Sequence, residues 1–467
     1  MSGPWDLCLT GDQHAVLQAH LFPGDGGEAA AILLCRPATP VRHKLMVVDV
    51  RPVPHEACTV RTADRLTWPG EALLSASEAA EDEGLTILLA HSHPGGWLAF
   101  SDLDDASDAL AIRALHEAAG DRPAEAGHGS LVMTPSGAMV ARVYDAAMVC
   151  TPVGKILVAG DDLRLFDGTG ASGRAPMAFG VGMTAMLSGL HVAIVGLSGT
   201  GSIIGEQAVR MGFGRVTAID FDRIEPKNLN RILNSTQADV RAGRLKVEMF
   251  AEAARAIRPE IDVVPHPVTL TSPEGIYAAA AADILFSCVD SAEGRYVADL
   301  LAQAFMIPMI DMGVTIPTRP DETGRPAIVE VSGRIDFVKP GGSTLFDRGV
   351  YSATSLRSDY LAREAPEAFA DHQREGYIKG APSEAPSVIT LNMRAASAAM
   401  MELVARVCPF RHAANAQYAR TIFGLCDGDE DIFPEDGFAR ASMVAPGSGL
   451  NTPLLSAYLQ TTMRSAA

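Results

Sequence analysis

Apolar and polar positions alternate along this chain in two α/β patterns joined by a glycine-rich stretch. In the amino-terminal part, the apolar run Glu28–Cys35 follows Pro-Gly-Asp-Gly-Gly, and Lys44–Val50 and Cys58–Thr62 are further strand-like segments. Leu85–Ala90 has the composition of a buried strand. Leucine or alanine then recurs at 103, 106, 110, 114 and 118, which predicts an amphipathic helix over Asp102–Ala119. Ser130–Met133 and Met139–Tyr144 read as a hairpin about Pro135-Ser-Gly137, and Val153–Val158 as one more strand before the glycine-rich Asp167–Arg174. Gly180–Gly189 reads as a helix leading into strand Val192–Val195, a glycine turn, a helix and strand Val216–Ile219. Helices over Leu245–Ile257 and Gly275–Ala282 alternate with strands at Asp262–Val264 and Ile284–Cys288, the alternation of a mainly parallel sheet. Ala327–Val331 and Gly333–Val338, separated by Ser332, read as an antiparallel pair. Ser355–Lys379 is polar, Ser387–Cys408 is a long helix rich in small residues, and Asp427–Asp431 is an acidic solvated run. The fold class is α/β throughout, with one domain over 1–150, a connector over 151–180 and a second domain over 181–467.

Composition narrows the functions open to such a chain. A net charge of −18 argues against nucleic-acid or anionic-membrane partners, which need a positive surface. Seven scattered cysteines without a CxxC pair indicate neither a disulfide framework nor a cysteine zinc site, so a reducing cytoplasm is expected. The amino terminus lacks a basic segment followed by an apolar one, so no signal peptide is expected. The uncharged stretch Ala175–Gly205 contains seven glycines and a histidine, which excludes a membrane-spanning helix.

Two motifs carry chemistry. In the second domain, Gly196, Gly199 and Gly201 follow an apolar strand and open a helix, so backbone amides and the helix N-terminus can face a phosphate. Ser198 occupies the middle position of the dinucleotide fingerprint, where a Cβ would crowd a pyrophosphate, so this turn alone is a weak signal for NAD or FAD. Asp220 and Asp222, then Asn228, Arg231, Lys246 and Asp290, place an amide, two cations and carboxylates as a triphosphate with Mg²⁺ requires. In that order the residues resemble the ThiF and ubiquitin-activating type of adenylyltransferase, over roughly Val192–Cys408, and so imply a Rossmann-like adenylation domain with a crossover segment at 311–390. The resemblance implies that Asp220 holds the ribose, that Asn228, Arg231 and Lys246 hold the phosphates of ATP, and that Asp290 holds Mg²⁺. It also implies adenylation of a ubiquitin-like C-terminus, a homodimer, and a ubiquitin-conjugating type of partner.

In the first domain, His91 and His93 at i and i+2 project from one face of extended chain, and Asp104 comes from the first turn of a helix capped by Ser101. Two imidazoles and a carboxylate leave a fourth position open, the arrangement of a catalytic zinc. The string H-S-H-P-x(6)-S-x(2)-D resembles the JAMM/MPN (JAB-domain) metalloproteases. That resemblance implies Zn²⁺ on His91, His93 and Asp104, Glu28 as the base, and Ser101 stabilising the tetrahedral intermediate. Together the two resemblances imply a bifunctional enzyme that adenylates ubiquitin-like tails and cleaves after them, in a bacterial-type conjugation, anti-phage or sulfur-carrier pathway. A non-catalytic nucleotide-binding scaffold or sensor and a dinucleotide-dependent oxidoreductase are the alternatives. Where relatives carry P-G-x-x-C-x-x-C, this chain reads Pro340-Gly-Gly-Ser-Thr344, so no structural zinc is expected there. Cys288 reads as core, and no thioester is expected on this domain. The adenylate would pass to a partner's nucleophile or, as the lesser alternative, to Ser343 or Thr344 with His372 as base.

Overall fold

A computed structural model describes residues 4–39, 42–118, 124–167, 176–364, 388–441 and 444–465. His372 and the polar segment beyond residue 364 lie outside the described residues. The chain divides into two compact units: Met1–Ala175 with Ala304–Met306 and Ala445–Thr452, and the remainder.

The first unit is built on a nine-stranded mixed sheet. Its strands are β1 (Asp6–Thr10), β2 (Ala30–Thr39), β3 (Arg42–Pro52), β6 (Thr86–Ser92), β7 (His128–Met133), β8 (Met139–Tyr144), β9 (Cys150–Pro152), β10 (Lys155–Ala159) and β11 (Leu163–Asp167). They lie in the order β11-β10-β1-β3-β2-β6-β7-β8-β9. A small hairpin, β4 (Val60–Arg61) and β5 (Leu66–Thr67), stands outside this sheet. Helices α1 (Gly11–Leu21), α2 (Glu71–Glu83) and α3 (Asp102–Ala118) complete the unit. The unbroken apolar run in β2 has a physical cause, because alternate side chains of a strand face opposite sides and both sides are covered here. Ala31, Leu33 and Cys35 enter one core with Leu45 and Leu131, while Ala30, Ile32 and Leu34 enter another with Ala76, Ala80 and Leu115. Residues 151–180, read from sequence as a connector, contain β10 and β11. Parallel pairing of β10 with β1 makes them part of this sheet.

In the second unit, β12 (His191–Val195), β13 (Arg215–Ile219), β14 (Asp262–His266), β15 (Ile284–Ser287) and β16 (Met309–Thr315) form a parallel core in the order β14-β13-β12-β15-β16. Three antiparallel strands, β19 (Ser332–Val338), β20 (Arg420–Gly424) and β21 (Glu430–Phe433), extend it beyond β16 to eight. The connecting helices are α4 (Val181–Ser188), α5 (Gly199–Met211), α6 (Gln237–Ala242), α7 (Lys246–Ile257), α8 (Pro273–Ala280), α9 (Ala292–Ala304) and α10 (Ala353–Glu364), followed by α11 (Ile389–Val407) and α12 (Pro453–Ser465). The long helix α11 lies against α5, β16 and β19. Buried alanines 395, 396 and 399 on α11 permit that close approach.

The sequence reading paired residues 327–331 with 333–338, and this is corrected. β18 (Pro326–Ile328) pairs with β17 (Thr318–Pro320), whereas β19 pairs with β16 and β20. One intervening residue cannot reverse a chain into a hairpin, so the two strands take different partners. Strand order reverses between β12 and β15, which opens a crevice at their carboxyl ends. Among the described residues, no helix is long and apolar enough to cross a membrane.

Candidate metal centre and candidate nucleotide site

Antiparallel register places Ala30 of β2 opposite His91 of β6, and the pairing continues through the Ser92 N–H donating to the Ala29 carbonyl at 3.0 Å. Glu28, just before β2, lies within electrostatic reach of both His91 and His93. His91 Nε2 and His93 Nε2 are 3.1 Å apart. Asp104 directs Oδ1 to His91 at 3.1 Å and Oδ2 to His93 at 3.5 Å. A reciprocal cap fixes that carboxylate, since Asp104 N–H donates to Ser101 Oγ at 3.1 Å while the Ser101 N–H and hydroxyl donate to Asp104 Oδ2 at 2.6 and 2.8 Å. His93 Nδ1 lies 2.9 Å from the Trp97 carbonyl and donates to it, which leaves Nε2 with a bare lone pair in the neutral ring.

One ligand atom from each of His91, His93 and Asp104 lies within 4.8 Å of the others. Lone pairs converging this closely repel one another unless a proton or cation sits between them. The donor set of two imidazoles and one carboxylate fits a divalent zinc site with an open position. Glu28 is 8% exposed. Burial pushes its carboxyl above the ordinary range, against the pull of His91 and His93. Burial raises the Asp104 carboxyl, but interaction with His91 and His93 in their protonated form, together with the Ser101 N–H, carries it well below its usual range.

Sequence reasoning missed the groups that support this trio. The Trp97 indole stacks on His93 at 5.7 Å between ring centroids. One turn beyond Asp104, buried Asp108 accepts from Arg142 Nη2 at 2.7 Å and Nε at 3.0 Å, and from the Ser130 hydroxyl. The apolar face read from 103, 106, 110, 114 and 118 is exposed in the structure, and the buried face of α3 carries Asp108, Ile112 and Leu115 instead, so the sequence pattern pointed away from Asp108.

In the second unit, the turn after β12 runs through Gly196 at φ +88°, where a Cβ would approach the Cys288 carbonyl oxygen to 2.7 Å. A Cβ on Gly201 would lie 1.7 Å from the Gly196 carbonyl oxygen, so only glycine lets α5 start against this turn. Asp220 at the end of β13 accepts from the Leu197 N–H at 2.7 Å and the Asp222 N–H at 2.8 Å, tying turn to strand. Burial raises the Asp220 pKa against the pull of Lys246. Lys246, buried at the first position of α7, places Nζ 2.6 Å from Asp222 Oδ2 and 3.8 Å from Asp220 Oδ2.

Asn228 is buried, and its Oδ1 accepts from the Glu225 N–H at 2.9 Å. Arg231 donates to the Lys227 carbonyl at 2.7 Å. A Cβ on Gly199 would fall 3.2 Å from Arg231 Cδ and 2.2 Å from Asn392 Nδ2, so both side chains lie over the glycine turn. Asn392, buried on α11, was not anticipated. Asp290 is exposed beyond β15, and its carbonyl accepts from Arg295 Nη1 at 3.2 Å. Asp220, Asp222, Lys246 and Arg231 are thus linked by contacts around one turn, whereas the Asn228 side chain is engaged within its own loop and Asp290 lies beyond the end of the neighbouring strand.

The segment proposed to offer hydroxyl acceptors is enclosed. Ser343 Oγ accepts from Arg348 Nε at 2.9 Å, and Thr344 Oγ1 donates to Asp347 at 2.9 Å. Both residues are buried. Asp299 accepts from the N–H groups of Leu345 and Phe346 and from the Tyr351 hydroxyl. A polar clamp therefore holds the loop. Cys288 is half-buried rather than part of the closed core that its sequence context predicts, and the burial it has pushes its thiol far above its ordinary range.

Residues 173–419 match the family model described as "ThiF family". Ubiquitin-like modifier-activating enzyme 5 of Culex quinquefasciatus is 28% identical over 167 residues, covering 33% of this chain and 38% of that one. The same enzyme of Aedes aegypti is 27% identical over the same coverage. This chain spans little more than a third of the length of these curated relatives, 38% in each case. Among solved structures, E. coli MccB with ATP is 16% identical, with a TM-score of 0.42 over 56% of this chain and 68% of that one, a likeness too slight to carry an argument. The match to the ThiF model covers more than half of the 467 residues, and the chain belongs to the ThiF family.

Proposed function

We propose that this chain carries two activities on one kind of substrate, the C-terminal tail of a ubiquitin-like protein. In the second unit the tail carboxylate attacks the α-phosphate of ATP, forming an acyl adenylate and releasing pyrophosphate. Asn228, Arg231 and Lys246 hold the phosphates, and Asp220 reaches the ribose. Gly196, Gly199 and Gly201 bring backbone close to the nucleotide. Asp222 holds Lys246 in place until phosphate competes for it. Asp290 would hold Mg²⁺, which supplies charge neutralisation on the phosphates. Membership in the ThiF family and the contacts linking these residues to the glycine turn support this half of the reading.

In the first unit, His91, His93 and Asp104 would hold Zn²⁺, which supplies Lewis acidity at a scissile amide. Glu28 accepts a proton from the attacking water and returns it to the leaving amine. Ser101, by fixing Asp104, keeps the carboxylate aimed, and its hydroxyl would have to turn from Asp104 to stabilise the tetrahedral intermediate. The observation that carries this half is the convergence of the three ligand atoms within 4.8 Å beside buried Glu28. A homodimer acting with a ubiquitin-conjugating type of partner in the cytoplasm, in a conjugation, anti-phage or sulfur-carrier pathway, completes the proposal. Buried Ser343 and Thr344 favour transfer of the adenylate to a partner's nucleophile.

Glu28→Gln tests the peptidase half. Metal analysis should find one zinc per chain retained while cleavage of a ubiquitin-like fusion falls by about 10²- to 10⁴-fold. Loss of zinc, or undiminished cleavage, would remove Glu28 from the role of base.

A further inference from the structure

We infer that Arg142 is a positioning residue for the metal trio, locking the capped turn that carries Asp104 onto the strands that carry the histidines; this rests on the zinc reading of that site. The reciprocal cap between Ser101 and Asp104 fixes the carboxylate within its own turn, but it does not fix that turn against β6. Arg142 does so from both flanks. On the N-terminal side, its guanidinium lies 3.8 Å from the centroid of the Phe100 ring, next to Ser101. On the C-terminal side, its Nη1 donates to Asp105 Oδ1, and its Nη2 and Nε reach Asp108 Oδ2 at 2.7 and 3.0 Å.

The other end of the lever is equally determined. Arg142 sits opposite Ser130 in the β7–β8 register, and Val132 of β7 sits opposite His91 in the β6–β7 register. Ser130 Oγ donates to Asp108 and accepts from Arg142 Nε at 3.2 Å. The helix bearing the third ligand is therefore referred to the sheet bearing the first two through Asp108, which Ser130 and Tyr144 also reach, and among the described residues Arg142 alone extends that link to Asp105 and Phe100. Only a planar fork with several donors serves both carboxylates while stacking on a ring, so lysine is not an equivalent. Because Arg142 touches none of the trio, its effect is on affinity and geometry.

The test loads the full chain, freed of metal, with Co²⁺ alone as the probe and reads affinity by chelator competition together with the visible absorption of the bound ion. Arg142→Lys should weaken Co²⁺ binding by about 10- to 100-fold, the range seen when outer partners of metal ligands are lost. The absorption envelope should change as well. Asp105→Asn removes only the arm to the exposed carboxylate, whose side chain is 60% accessible, so it retains the fold even if the lysine variant does not. It should weaken Co²⁺ in the same direction by a few-fold. Wild-type affinity and spectrum in both variants would overturn the inference while leaving the metal site standing. Failure of the wild-type chain to bind Co²⁺ would overturn the zinc reading and the inference together.

Discussion

The two sites obtain their groups in opposite ways. The trio draws on Glu28 and on residues 91–104, brought together by one strand register and one capped turn. The candidate nucleotide crevice gathers groups from 196 to 392, carried on six separate stretches of chain. Their electrostatics differ too. In the first site, ligand atoms face one another at 3.1 to 3.5 Å, an arrangement that favours an added cation. In the second, the cations are already engaged, Lys246 by Asp222 and Arg231 by a backbone carbonyl, so an arriving phosphate exchanges partners. A metal site can thus be compact and self-contained, whereas a site for a long polyanion must be distributed.

The largest test of that contrast is Gly201→Ala. The added Cβ at 1.7 Å from the Gly196 carbonyl must push α5 off the turn, so ATP–pyrophosphate exchange should be lost. The unit should also lose several kcal/mol of stability, in the range of severe backbone or packing defects. Zinc content should stay unchanged, and exchange near wild-type rates would show that the turn is not the phosphate cradle.

A second contrast lies between two buried aspartates. Asp108 is paired with Arg142, whereas Asp299 accepts from the neutral donors Leu345 N–H, Phe346 N–H and Tyr351 O–H. Burial pushes the Asp299 carboxyl up from 3.8 to about 7. Its folded pKa is raised, so between those values the native state binds more protons than the unfolded state. The Asp299 contribution is full below pH 3.8 and is lost as pH rises through about 7. Stability measured by urea denaturation should therefore decline across that window, by on the order of 2 to 4 kcal/mol from this group. Asp299→Asn should flatten the decline. An unchanged slope in the variant would mean that Asp299 is ionised throughout.

The smallest effect expected is that of Asp222→Asn. Its ion pair with Lys246 is half-exposed on the aspartate side, so the pair is worth about 1 kcal/mol or less. The KM for ATP should change by less than about tenfold. A loss of a hundredfold or more would make Asp222 a direct nucleotide contact rather than a holder of Lys246.

These differences also explain what could be read in the chain. His91, His93, Ser101 and Asp104 sit in one short string, and strand and helix periodicity fix which side chains share a face. Their convergence was therefore legible, as were the βα alternation and the glycine turn. Arg142 was not, because its partners Phe100, Asp105 and Asp108 meet it only after β6, β7 and β8 pair. Asn392 lies some 190 residues from the glycine it covers, and nothing local announces that contact. The strand read at Val153–Val158 was assigned to a connector, and β11 was not read at all, because these short strands gain their place only when β10 pairs with β1 and β11 with β10. The misassigned pair around Ser332 has the same origin, since β propensity marks a strand without naming its partner.

The central claim is that one chain holds two chemically independent sites. It is tested most directly by measuring both activities on two single variants of the full chain, His91→Ala and Lys246→Ala, with a ubiquitin-like protein ending in Gly-Gly and its C-terminal fusion as substrates. The account predicts that His91→Ala abolishes metal-dependent cleavage and keeps ATP–pyrophosphate exchange, and that Lys246→Ala does the reverse. Loss of both activities in either folded variant, or retention of the targeted activity, would contradict it.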